Sequence, residues 1–235
     1  MTLSAAEILN GIFSILVIIV FLLVGLKILL KYREYQRRIF FLTGFAWIGI
    51  SEPWWPSAVS FLLVLITGTG ISIEVYLLLN NGFLPIFLFC WLMAVGEMTE
   101  IKRKNTLLAL YLIVAIILES IMLYYLFTDS SKVGVLISPV DVDFGPIAII
   151  HIVFNLVVFM ITGFLFAFKT LNLEEPVNKL RGKFLLIAFI LFLIGAILEI
   201  IVTMPPNRII ILFCAITFYI GFMMPEGIKK YFIAK

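Results

Sequence analysis

The sequence predicts an all-α, polytopic seven-transmembrane helix bundle, with the N-terminus outside and the C-terminus cytoplasmic, and three observations predict it. The chain has 235 residues, of which 63% are hydrophobic and 13% charged, with a mean hydropathy of +1.20. A soluble domain is about half apolar and a quarter charged, and a chain of this length could not hide so much apolar surface from water. Apolar runs recur that are long enough to cross a bilayer core of about 30 Å at about 1.5 Å per helical residue. Lysines and arginines fall in blocks between those runs, strongly biased to one side.

The runs cover about 8–30, 39–67, 71–98, 106–127, 146–168, 184–203 and 208–224 of a single domain, 1–235. The first lacks a basic n-region and exceeds the apolar core of a signal peptide, about 7–15 residues, so it reads as a span that is kept. The second is interrupted by Ser51-Glu52-Pro53-Trp54-Trp55-Pro56-Ser57; each proline removes a backbone donor and crowds the preceding turn, so a kink or partial break is expected. The third carries Asn80-Asn81-Gly82 and Pro85, a second irregularity. Such breaks survive at membrane depth where protein or a water-filled cavity covers the freed backbone groups. The fourth is continuous around Glu119. In the fifth, His151, Asn155 and Thr162 share one helical stripe; in the sixth, Ala188, Gly195 and Glu199 do, and small residues there permit close helix approach. The longest loop is 128–145.

Orientation follows from the positive-inside rule. Fifteen basic residues, in blocks such as Lys31 to Arg38, Lys102 to Lys104, Lys179 to Lys183 and Lys229 to Lys235, fall on one side, and only Lys132 and Arg208 on the other. Both flanks of 39–101 are basic, which requires an even number of crossings there and favours two long spans over three short ones.

Charges at membrane depth require a partner, a cavity or a role. Counted along their helices, Glu52, Glu119, His151, Asn155 and Glu199 fall in one layer of the outer half, with Asn80 and Asn81 nearby. The expectation is a polar, partly hydrated, ligand-binding pocket lined by Glu52, Glu119, His151, Asn155 and Glu199 and rimmed by Trp54 and Trp55. The alternatives are that the tryptophans anchor at the interface, that the glutamates are protonated and hydrogen-bonded between helices, and that His151 is structural. Glu74 lies near the outer surface and is read as solvated, and Glu97 with Glu100 adjoins Lys102 to Lys104, where surface pairing is expected.

Several chemistries are excluded. A retinal Schiff base needs a lysine in the last span, and none lies between Arg208 and Lys229. Bis-histidine haem ligation is impossible with one histidine. No GxSxG nucleophile, phosphate loop or dinucleotide fingerprint occurs. Cys90 and Cys214 sit inside apolar runs as packing residues. The net charge of +3 is spread over short blocks suited to anionic lipid headgroups, not nucleic acid. The expectation is therefore no enzyme, no cofactor and no metal.

The seventh run closes in Gly221-Phe222-Met223-Met224-Pro225 before a basic amphipathic segment. Together with the topology, this ending resembles the junction where prokaryotic seven-span sensor regions meet their cytoplasmic helix. The resemblance implies a receptor or sensor that binds a small ligand in the outer pocket and signals to a separate cytoplasmic protein partner. A small-solute transporter, proton-coupled through Glu52, Glu119 or Glu199, and a non-catalytic subunit of a membrane complex are the alternatives. The other expected partner is the lipid bilayer, and isoleucine- and lysine-rich usage points to a prokaryotic cell membrane.

Overall fold

A computed structural model describes residues 3–201 and 207–233. The chain forms a helical bundle in the order α1 (Ala5–Tyr35), α2 (Arg38–Gly49), a short 3₁₀ turn (Glu52–Trp54), α3 (Trp55–Thr67), α4 (Ile73–Asn81), α5 (Leu84–Met98), α6 (Lys104–Thr128), β1 (Gly134–Ser138), β2 (Asp141–Phe144), α7 (Pro146–Leu171), α8 (Pro176–Ile201), α9 (Asn207–Met223) and α10 (Glu226–Ile233). Among the described residues, six helices or helix pairs are long and apolar enough to cross a membrane, and up to seven if α9 and α10, bent by 83° at Met224 and Pro225, count as one span. Alone, α9 has 17 residues, about 25 Å at helical rise. The expected end of the sixth span, at residue 203, lies outside the described residues.

Local chemistry sets the boundaries. Ser4 caps α1 in a reciprocal box, its hydroxyl accepting from Glu7 N while Ser4 N donates to Glu7 Oε2. The expected break in the second run falls between α2 and α3, where Pro53 and Pro56 stand in the first turns of their helices, positions that need no N–H. The break in the third run falls at Gly82 and Phe83, before Pro85 at the start of α5.

One segment departs from the helical expectation. Residues 134–144, read as loop, form an antiparallel hairpin with Gly134 opposite Phe144 and Leu136 opposite Val142, and a register shift before Ser138. Apolar residues alternating through Val140, Val142 and Phe144 favour a strand with one covered face; Val140 and Val142 are buried against the bundle. Three side chains from three helices hold its turn. Asn10 Nδ2 donates to Val140 O at 3.1 Å, Tyr76 Oη donates to the same oxygen at 3.0 Å, and Ser60 Oγ donates to Pro139 O. The hairpin thus caps one end of the bundle.

The opposite end collects the basic blocks. Arg38 pairs with Glu97, Lys169 donates to Thr99 O, and Phe40 packs edge-on against Phe222 at 6.1 Å. Between the ends lies an aromatic core: Trp47 stacks between Phe21 and Phe218, with ring centroids at 5.3 and 3.6 Å, and Trp91 packs against Phe159, Phe189 and Phe218. At the periphery stands α6, with 17% of its most apolar stretch buried, so its Leu, Ile and Val side chains form an outward apolar face.

Candidate functional site

A cavity of about 220 Å³ opens near the capped end, between the 3₁₀ turn, α4, α5, α7, α8, α9 and strand β2. Its body is apolar: Leu88, Ile152, Leu156, Phe159 and Phe192 line it. Phe159 packs against Phe192 at 5.0 Å and against Trp91 at 5.3 Å, so the cavity rests on the aromatic core. Its polar groups belong to Trp54, Ser57, Tyr76, Asn80, Asn155, Glu199 and Arg208, with Asp141 and Asp143 contributed by β2.

The polar side of the cavity holds an ion pair between a buried arginine and a half-buried glutamate. Glu199, near the end of α8, takes Arg208 of α9 through Nε at 2.9 Å and Nη2 at 2.8 Å, both on Oε1. The same oxygen accepts the Trp54 indole N–H at 3.3 Å. Arg208 Nη1 donates to Asn10 O at 2.6 Å and to Ser14 Oγ on α1. The guanidinium, in a residue only 3% exposed, therefore ties α1, α8 and α9 together while its charge is matched, as a buried charge must be. Glu199 Oε2 finds no hydrogen-bond partner among the described residues.

Near the hairpin, Ser57 Oγ lies 2.7 Å from Tyr76 Oη. Because the tyrosine proton goes to Val140 O, Ser57 is the donor of that contact. Asn80 Nδ2 donates to Pro53 O at 2.7 Å, which fixes the amide and leaves Oδ1 unpartnered among the described residues. The Asp141 carboxyl accepts from Val142 N at 2.9 Å. Burial pushes its pKa up from the ordinary 3.8 against the pull of that bond and of Arg208, with Glu199 and Asp143 adding to the rise.

No family model, curated protein or solved structure matches the chain. The site therefore rests on its own geometry.

The structure divides the seven residues expected to share one pocket. Trp54, Asn155 and Glu199 line the cavity; Glu52, Trp55, Glu119 and His151 are not among its lining residues. Trp54 is buried in the core, whereas Trp55 turns to Ser51 Oγ at 2.9 Å and packs edge-on against Phe87. Of the other expected residues, Glu52 stands in a contact of its own, and His151 and Glu119 form a second polar track with Asn155. Glu52, wholly buried, accepts Phe83 N at 2.7 Å, so the breaks in the second and third runs meet through a side chain. Tyr111 Oη donates to Asn155 Oδ1 at 3.0 Å, with Pro85 O at 3.2 Å as second acceptor. Asn155 Nδ2 donates to His151 O within α7, and His151 Nε2 lies 3.1 Å from Glu119 Oε2 on α6. Asn155 is common to the track and the cavity. Thr162, on the His151 stripe, accepts the Trp91 indole N–H at 2.9 Å.

Arg208 counts by sequence only among the few basic residues of the outer side, and no sequence signal marks Tyr76 or Asp141. The signal for Arg208 was present as an opposite charge nine residues beyond Glu199, across Pro205 and Pro206. Asp141 and Asp143 carried no comparable signal, because their position depends on the hairpin folding back over the bundle.

Proposed function

We propose that the chain is a seven-span, receptor-type protein of a prokaryotic cell membrane, its capped end outside and its basic end cytoplasmic, and that it binds a small ligand in the cavity beneath the hairpin. The observation that carries this reading is the cavity itself: an apolar body with a few convergent polar groups, the usual composition of a small-molecule site, resting on an aromatic floor. The floor supports binding over passage, since Trp47, Trp91, Phe189 and Phe218 fill the bundle between the cavity and the basic end. Loop charge supports the orientation.

Ligand occupancy would act on a junction of four elements, because Trp54, Glu199 and Arg208 link the 3₁₀ turn, α8, α9 and α1. A ligand that binds one packing of these helices better than another shifts the population between them. From that junction α9 runs to the basic end, where α10 bends away and a cytoplasmic partner would read the change. The test is the unfolding midpoint of the full chain in nanodiscs against a panel of small amphiphiles. The expected result is a saturable rise that is lost in Ala196→Phe, which fills the cavity. No stabiliser, or an undiminished rise in the variant, overturns the reading.

Transport is the second reading, favoured by the contact of Glu52 with Phe83 N, which joins two helix breaks as discontinuous spans do around transporter sites. Solute uptake into proteoliposomes that collapses in Glu52→Gln and Glu119→Gln would establish it against the receptor reading.

A further inference from the structure

We propose that the cavity beneath the hairpin recognises a small organic cation, an ammonium carried on an apolar or aromatic body. This rests on the receptor reading of the same site and specifies its ligand class.

Charge count is the first argument. Three acidic residues, Asp141, Asp143 and Glu199, line the cavity against a single basic one, Arg208, and of the three Asp143 is exposed to solvent. That cation is already committed, its Nε and Nη2 to Glu199 and its Nη1 to Asn10 O and Ser14 Oγ. An anionic ligand would find no free positive partner among the described lining residues and would face the half-buried Asp141. A cationic ligand gains Asp141 as a partner.

Hydrogen-bond polarity is the second and independent argument. Two lining residues carry side-chain oxygens without a partner among the described residues, Asn80 Oδ1 and Glu199 Oε2, both acceptors and both covered by the packing of the cavity wall. Asn80 is only 3% exposed, and its Nδ2 contact with Pro53 O forbids the flipped amide that would present a donor instead. Buried acceptors left unmatched are costly, and the group that matches them must donate. An ammonium supplies up to three donors and no acceptor.

The walls complete the fit. Trp54, Tyr76, Phe144, Phe159 and Phe192 surround the same volume, and aromatic faces attract a desolvated cation. A bare metal ion fits less well, since no group of three or more His, Cys, Asp or Glu among the described residues has the arrangement to hold one. At about 220 Å³ the cavity lies below the drug-sized range of roughly 300–1,000 Å³, which limits the occupant to a compact amine.

The experiment compares three probes of near-equal size on the full chain in nanodiscs: phenethylamine, 2-phenylethanol and 3-phenylpropionate, read by unfolding midpoint and by Trp fluorescence at constant pH. The expected result is saturable binding of the amine, at least about tenfold tighter than the alcohol, with no detectable binding of the acid. Asp141→Asn, and separately Asp143→Asn should the first variant fold poorly, weakens the amine about tenfold and leaves the alcohol unchanged. Alcohol or acid binding as tightly as the amine, abolished by Ala196→Phe, overturns the cation proposal while the receptor reading stands. Absence of binding by all three probes also overturns the cation proposal, and the receptor reading then depends on the wider amphiphile panel. Amine binding undiminished in both Asp variants and in Ala196→Phe marks partition into lipid and overturns it as well.

Discussion

Arg208 Nη2 lies 2.8 Å from Glu199 Oε1, joining the start of α9 to the end of α8 inside the bundle, with the Trp54 indole on the same oxygen. Such a pair stabilises little relative to an apolar replacement of the same shape, but removing one partner strands the other charge in a poor solvent for it. Arg208→Ala is expected to cost about 3–5 kcal/mol of stability, measured as the unfolding free energy in detergent. The double variant Arg208→Met with Glu199→Gln recovers most of that loss. A double variant no better than Arg208→Ala would mean that the contacts to Asn10 and Ser14, not the ion pair, carry the effect.

The hairpin cap hangs on few bonds. Tyr76 Oη is one of two side-chain donors to Val140 O, and Ser57 depends on it in turn. Tyr76→Phe keeps the ring in place and removes both hydrogen bonds at a cost of about 1–3 kcal/mol, since Val140 O and Ser57 are buried. Hydrogen exchange at residues 134–144 is expected to accelerate by roughly one to two orders of magnitude, with α1 and α9 unchanged. Equal acceleration throughout the chain would show that the hairpin does not open by itself.

The helical runs were legible because bilayer insertion is decided largely along one dimension, by apolar length and flanking charge. The two breaks were legible because Pro53, Pro56 and Pro85 act on their own backbone. What the sequence could not convey was which side of a helix each polar residue takes relative to its neighbours. Glu52 and Glu199 both count into the outer half, yet one turns to the Phe83 amide and the other to Arg208. The positive-inside count assigns Arg208 a side by its place along the chain, and it carries no information on the Glu199 carboxylate and the α1 carbonyl of Asn10 that match its charge when buried. The hairpin was missed for a compositional reason: in a chain so rich in Val, Ile and Leu, a short period-two stretch does not stand out.

Asp141 gives the cap a pH dependence. Burial raises its folded-state pKa above the ordinary 3.8, so proton binding is stronger in the folded chain than in the unfolded one. The stabilisation is complete below the unfolded value, about 3.9, and is lost as pH rises through the elevated folded value. Docking of the hairpin is therefore tighter in acid. Hydrogen exchange at Val142, corrected for intrinsic rates, is expected to show opening that increases with pH from about pH 4 upward, and Asp141→Asn flattens the profile. An unchanged slope in the variant would assign the titration to another group.

Gly25 of α1 and Gly44 of α2 mark a close helix approach. A Cβ on Gly44 would stand 2.6 Å from the Gly25 carbonyl oxygen and from Leu29 N, and a Cβ on Gly25 would stand 2.7 Å from the Gly44 carbonyl oxygen. These neighbours are backbone atoms, so they can move only if the whole helix moves. Gly44→Ala must push α1 from α2 at the level of the Phe21–Trp47–Phe218 stack, less than one turn further along α2. Overpacking of this kind costs about 1–3 kcal/mol, and the displaced Trp47 is expected to weaken the near-ultraviolet circular dichroism of the aromatic core. Gly227→Ala is the matched control: its added methyl meets nothing within 4 Å, and alanine is the better helix former by about 1 kcal/mol, so α10 is expected to gain helicity while the core signal stays constant. A normal core signal in Gly44→Ala would show that α1 and α2 can separate there without disturbing the aromatic floor on which the cavity rests.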